Sequence, residues 1–247
     1  MPQPRLWIIP ALSFAVSSAL AADAPAEQGA GAETSEAVAI QVVGIKHPAS
    51  VGYAMFLKGE EAFAAHHELA PGATLRFSAR ASKLMPGSEL KLSVVDEEQS
   101  VALALDQQGS FALPAPPPVK LGEARIVANQ SKGAVEIDPL VRSPGQPENQ
   151  RRLGDLRLEC EVLWAMKKDS APFLVRATFG LAGGLCHSAK IAVHFPVRRK
   201  LTAATLVQGD KRQAIPVAKE GHAYMPPLYD RAWFNDARVE LAFAPRQ

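Results

Sequence analysis

Apolar and polar residues alternate one by one along much of this chain, the period of a strand with one face buried and the other wet. Leu75, Phe77 and Ala79 alternate with Arg76, Ser78 and Arg80, and Leu90, Leu92 and Val94 alternate with Lys91 and Ser93. The period returns at Val101, Leu103 and Leu105, at Phe173, Val175, Ala177 and Phe179, at Ile191, Val193, Phe195 and Val197, and at Val239, Leu241 and Phe243. It also returns at Leu156, Leu158, Cys160 and Val162, which places Cys160 on the buried face of a strand. Turn residues separate the segments: Ala70-Pro71-Gly72, Met85-Pro86-Gly87, Gln108-Gly109, Gln208-Gly209-Asp210 and Glu220-Gly221. Residues 53–68 carry Phe56, Leu57, Phe63 and Glu60-Glu61 at spacings that suit a short helix as well as a strand pair, and the surrounding strands favour the second. The pattern predicts an all-β protein of short strands, hence sandwiches or barrels.

The polar run Ser143-Pro144-Gly145-Gln146-Pro147-Glu148-Asn149 interrupts regular structure and is the natural boundary. It divides the chain into two antiparallel β-sandwich domains at 37–142 and 151–247, joined by a linker at 143–150. The rival plan is one continuous sandwich with this segment as a long surface loop.

The amino-terminal end reads differently. Arg5 precedes the apolar run Leu6 to Val16, and small residues end in Ala19-Leu20-Ala21, the three-part pattern of a cleavable signal peptide over 1–21. The run is short for a membrane span and contains Pro10. No cysteine follows it to take a lipid, and no later apolar stretch is long enough to span, so the mature chain is expected to lack a transmembrane segment. Residues 22–36 have no large apolar side chain and read as a flexible linker. The expected location is therefore periplasmic or secreted.

Charge is uneven. Residues 22–145 hold 10 Lys and Arg against 15 Asp and Glu, whereas residues 146–247 hold 16 against 10. A basic half in an exported protein faces either an anionic envelope polymer or lipid surface, or the acidic half of its own chain; the second is preferred here. The basic residues are scattered singly and in pairs without interleaved aromatics, which argues against nucleic acid.

Cys160 and Cys186 are the only cysteines. An even number in an exported chain points to a disulfide between them. A redox pair would need a Cys-x-x-Cys spacing that the chain lacks, and a metal site with His187 is the weaker alternative.

The run from Leu90 to Pro114 passes through a strand, the turn Asp96-Glu97-Glu98-Gln99, a second strand and then Asp106-Gln107-Gln108-Gly109-Ser110-Phe111. This resembles the Asp-x-x-Gly-x-Phe hairpin of carboxypeptidase-regulatory-like (transthyretin-like) β-sandwich domains, in which Asp bonds turn amides, Gly takes a backbone conformation others avoid, and Phe re-enters the core. The resemblance covers about a tenth of the chain. The preceding turn is acidic where the family pattern has a second Gly. The resemblance implies a stabilising or binding module rather than a catalytic one.

Catalytic signatures are sparse. Of the six histidines, His66-His67-Glu68 is the densest group, but neighbours on a strand point to opposite faces, and no His-Glu-x-x-His spacing exists. No metal or cofactor is therefore expected. No Gly-x-Ser-x-Gly occurs, and Gly180-Leu181-Ala182-Gly183-Gly184 lacks the Lys-Ser/Thr of a phosphate cradle and reads as a hairpin turn. The most suggestive segment is residues 224–236, where Tyr224, Tyr229 and Trp233 fall near Asp230, Asn235 and Asp236. Such a mixture binds sugar rings by stacking and hydroxyl hydrogen bonds; the alternative is a loop that packs its aromatics onto the sheet edge before the last strand, Arg238 to Phe243. The expected function is a non-enzymatic exported protein that binds or organises an envelope component. The alternatives are a hydrolase of polysaccharide or peptide using Asp230 and Asp236, and an assembly subunit whose partner is another protein.

Overall fold

The computed structural model describes residues 45–245 apart from 46, 83, 85–88, 116, 118–119, 121 and 182–183. The expected signal peptide at 1–21, the expected linker at 22–36 and the expected turn at Met85-Pro86-Gly87 lie outside the described residues. The elements run β1 (Pro48–Gly52), α1 (Tyr53–Ala65), β2 (Thr74–Ala81), β3 (Leu92–Val95), β4 (Ser100–Leu103), β5 (Ser110–Phe111), β6 (Arg125–Ser131), β7 (Val135–Arg142) and β8 (Gln150–Arg152). There follow α2 (Leu153–Lys167), α3 (Phe173–Leu181), β9 (Phe195–Pro196), β10 (Leu201–Gln208), β11 (Lys211–Ala214), β12 (Ala223–Tyr224) and β13 (Arg238–Phe243). Strand dominates the regular structure, and the chain is broadly all-β.

Among the described residues the strands pair in antiparallel sheets ordered β1-β6-β3-β4, β5-β2-β7, β11-β10-β13-β8 and β12-β9. The alternation read at β2, β3, β4 and β13 is the alternation that buries Phe77 and Ala79, Leu92 and Val94, Leu103, and Val239 and Leu241. Pro139, which has no amide to donate, sits in β7 at a sheet edge, where the ladder loses nothing.

Three segments expected as strands are helices. Residues 53–68 begin with α1, residues 156–164 lie within α2, and residues 173–179 lie within α3. Of residues 191–197 only Phe195–Pro196 is strand. The first two helices have a common cause. Their sequences, YAMFLKGEEAFAA and LGDLRLECEVLWAMK, are rich in Ala, Leu, Met and Glu and contain one β-branched residue, Val162, so backbone propensity favours helix over strand. Asp155 in the first turn of α2 and Lys167 in the last also suit the helix dipole.

Alternation misleads in α2 because this helix is apolar on two sides. Leu158, Val162 and Met166, four residues apart, enter one core with Tyr53, Phe56, Phe77, Phe111 and Ile126. Leu153, Leu156 and Cys160 enter a second core with Leu206, Tyr224, Trp233 and Val239. Each fully buried leucine stabilises the fold by about 1.5–3 kcal/mol relative to exposure. Between the two apolar stripes run Asp155 and Glu159, both buried. The Ser143 amide and hydroxyl donate to Asp155 at 2.9 and 2.7 Å, and the Val141 amide and Arg151 donate to Glu159 at 2.8 and 2.6 Å. Burial disfavours the charged form of Arg151, but the Glu159 carboxylate outweighs it and holds the guanidinium above the ordinary arginine range.

Two glycines permit close approach at this helix. A Cβ on Gly59 of α1 would lie 3.0 Å from Met166 Cγ, and one on Gly154 would lie 2.2 Å from the Leu69 carbonyl oxygen. The Gly154 amide instead donates to Asn235 O at 2.8 Å, which ties the start of α2 to the segment before β13.

Cys160 and Cys186 form a disulfide, with Cα atoms 5.8 Å apart. It anchors the short 3-10 turn Leu185–His187 to α2. No helix among the described residues is long and apolar enough to cross a membrane. Closing 26 residues restricts the unfolded chain, and the chain-entropy model places the stabilisation at about 3.5 kcal/mol. Replacing both cysteines with alanine is expected to lower the free energy of unfolding by about 3 kcal/mol in a urea titration; an unchanged midpoint and slope would show the bridge to be without effect on stability.

Candidate functional site

Residues 228–235 fold over α2 because one arginine holds them there. Arg157 Nε donates to Leu228 O at 2.9 Å, and its two Nη atoms donate to Asn235 Oδ1, Asp230 O and Trp233 O at 2.5, 2.8 and 3.1 Å. A planar guanidinium satisfies four acceptors of an irregular loop at once, which a lysine could not do. Burial, followed by the nearby charge of Arg231, pushes the Arg157 guanidinium below its ordinary value, while Asp230 opposes the shift. The loop is further pinned by the Asp230 carboxylate, which accepts from the Ala232 amide at 2.9 Å, and by Gln208 Oε1, which accepts from the Phe234 amide at 2.7 Å.

A pocket of about 370 Å³ opens between this loop, α2 and the Leu185–His187 turn. Trp233, Arg157, Glu161 and His187 line it, and Tyr229 and Phe234 are exposed at it. His187 Nε2 lies 2.9 Å from Glu161 Oε1, an ion pair when the imidazole is protonated. Trp233 is 1% exposed, and its buried indole Nε1 has no hydrogen-bond partner. The Lys211 ammonium lies 3.9 Å from the centroid of the same ring.

The pocket gathers three of the six residues expected at a binding site, Tyr229, Trp233 and Asn235. Asp230 supports the loop through its carbonyl and its carboxylate and is not among the lining residues. Asp236 is exposed and also outside the lining. Tyr224 is buried elsewhere, stacked on Phe195 with ring centroids 5.8 Å apart. The sequence reading missed Arg157, Glu161 and Phe234, and met His187 only as a possible metal ligand beside the cysteines. Arg157 and Glu161 are four residues apart, a helical neighbour spacing that a strand reading discards. The lining contains no serine, threonine, lysine or free thiol, and among the described residues no three His, Cys, Asp or Glu side chains gather where they could hold a metal.

No protein-family model, curated protein or solved structure matches this chain.

Two outcomes follow from these placements. Trp233→Ala should cost about 3–5 kcal/mol in chemical denaturation because it empties a filled core, whereas Phe234→Ala and Tyr229→Ala should stay within about 0.5 kcal/mol; equal losses in all three would mean that the exposed rings are also packing elements. The Tyr224 phenol is pushed up to about 12, chiefly by burial, with Arg151 pulling against it. An unfolded tyrosine releases its proton near 10, so over the interval from about 10 to 12 the folded state binds more protons and stability must fall as pH rises. Tyr53 shifts in the same direction, again by burial first. Tyr224→Phe should therefore flatten the loss of stability between about pH 10 and 12 without removing it; an unaltered slope would place the phenol in contact with water.

Proposed function

We propose that this chain is an exported, non-enzymatic binding protein that takes a polyhydroxylated group of an envelope polymer in the pocket beside residues 228–235. The observation that carries this reading is the pocket's composition. Exposed rings of Tyr229 and Phe234 stand at a cavity that is also lined by Trp233 and by the polar residues Asn235, Glu161 and His187. Aromatic faces with a few fixed donors and acceptors are what a sugar ring needs for stacking and for its hydroxyls. Export is supported by the leader pattern of residues 1–21 and by a disulfide, which persists in oxidising compartments. The sandwich-type architecture, immunoglobulin-like or transthyretin-like, is supported in 37–142 by the shared core of two sheets, which buries Phe77 and Ala79 from one and Leu92 and Ile126 from the other.

A hydrolase is the second reading, and the Glu161–His187 pair favours it, since a carboxylate that orients an imidazole can prepare it to take a proton from water. The assembly-subunit reading has no comparable support: the edge strand β11 is exposed but presents Lys211 and Arg212, and charged edges discourage strand addition.

Affinity retention on immobilised peptidoglycan and on a panel of envelope polysaccharides tests the first reading. Wild-type protein should be retained on at least one polymer, and Tyr229→Ala with Phe234→Ala should abolish retention at an unchanged melting temperature. Release of new reducing ends or amines, lost in His187→Ala, would replace binding by hydrolysis. Retention that survives the double substitution would overturn the assignment of this pocket.

A further inference from the structure

A second cleft, of about 150 Å³, is lined by Arg142 at the end of β7, Arg151 in β8, Arg198 and Arg199 after β9, and Tyr224 in β12, with Glu148 as the one carboxylate of its lining. The four guanidinium groups are differently occupied. Arg151 is paired with buried Glu159. Arg142 donates to the carbonyls of Gln146, Pro147 and Gln150 at 3.2, 2.7 and 3.4 Å. Arg198 donates to Ala79 O at 3.1 Å and lies so close to the Asp106–Phe111 turn that a Cβ on Gly109 would be 2.7 Å from its Nη2. Arg199 lies 4.5 Å above the Phe243 ring. Carbonyls and a ring face position these cations but do not neutralise them. Among the described residues, none of Arg142, Arg198 and Arg199 has a carboxylate within ion-pair distance.

Two further polar groups in the wall are unmet. The Tyr224 hydroxyl and Arg151 Nε are both buried, and neither has a hydrogen-bond partner. A buried donor without a partner is costly, and a native fold retains one where something else supplies the acceptor. Burial, followed by repulsion from Arg151, pushes the Arg142 guanidinium below its ordinary value, while Asp155 and Glu148, beyond ion-pair distance, oppose the shift.

We propose that this cleft is a binding site for a phosphate group, held by Arg142, Arg198 and Arg199 and by the Tyr224 hydroxyl. Three cations without an ion-pair partner and two unmet donors suit a dianion with several acceptor oxygens better than a monoanionic carboxylate with two. The cleft admits a group of this size. The site is independent of the pocket beside residues 228–235 and holds whether or not that pocket binds a sugar. It also gives part of the basic excess of residues 146–247 a use other than pairing with the acidic half, to which that excess is joined by the ion pair Lys167–Asp138 at 2.9 Å.

Calorimetric titration of the full chain with inorganic phosphate, at an ionic strength held constant with chloride, tests the site. Vesicles carrying phosphatidic acid form a second arm, read by co-sedimentation. Saturable binding in either arm is expected, the first identifying free phosphate and the second a lipid headgroup as its source. Arg199→Gln should weaken binding about tenfold, and Arg198→Gln with Arg199→Gln should abolish it. Tyr224→Phe should weaken binding about fivefold while leaving the melting temperature unchanged or higher, because it removes an unmet hydroxyl. Absence of binding in both arms, or affinities unmoved by these substitutions, would overturn the proposal. So would a Tyr224→Phe protein that melts lower yet binds as the wild type does, since its hydroxyl would then serve the fold alone.

Discussion

The structure depends on the insertion of α2 between two cores. Few helices bury two apolar stripes, and this one does so because its polar residues are gathered into the narrow intervals between them. Asp155 and Glu159 face the end of β7 and β8, where backbone amides and Arg151 meet their charges. Arg157 and Glu161 face the pocket. Each interval repeats at four residues, so the polar groups stack along the helix rather than spreading around it. Removing water from two carboxylates is costly, and the local donors offset that cost at fixed positions, which sets the rotation of the helix about its axis. The two cores and the pocket follow from that rotation.

This arrangement also explains how much could be read from the chain. Strands with one buried face, such as β2 and β13, announce themselves because alternation has a single meaning when the other face is wet. The Asp106 turn was equally legible. Its carboxylate accepts from the amides of Gln108 and Ser110, Gly109 has a φ of 67°, and Phe111 is wholly buried. In α2 the same alternation has another origin, since apolar residues on two helical faces, separated by polar ones, produce period two over Leu156 to Val162. Only composition carried the distinction, through the scarcity of β-branched residues. The cysteine pairing was recoverable because it required proximity of two residues and not the element that carries one of them.

The loop at 224–236 shows a similar division. The sequence marks it as aromatic and polar but not which rings face outward. Trp233 and Tyr224 are held inside, by the Lys211 contact and by the Phe195 stack, while Tyr229 and Phe234 stand out at 44% and 64% exposure. The deciding contacts come from α2, β9 and β11, all distant along the chain. Arg157 in particular has no local signature, since its role is defined by four acceptors more than 70 residues away.

The β11 edge carries a last consequence. Sheet edges are where chains recruit one another into aggregates, and long cations are a common guard. Here the guards are tethered: Lys211 is drawn down over Trp233, and Arg212 donates to Glu240 Oε2 at 2.6 Å. One of the side chains that keep foreign strands away, Lys211, therefore also roofs the core beneath it. Colloidal behaviour and interior packing are coupled through that residue, and a change made there to adjust one property is felt in the other.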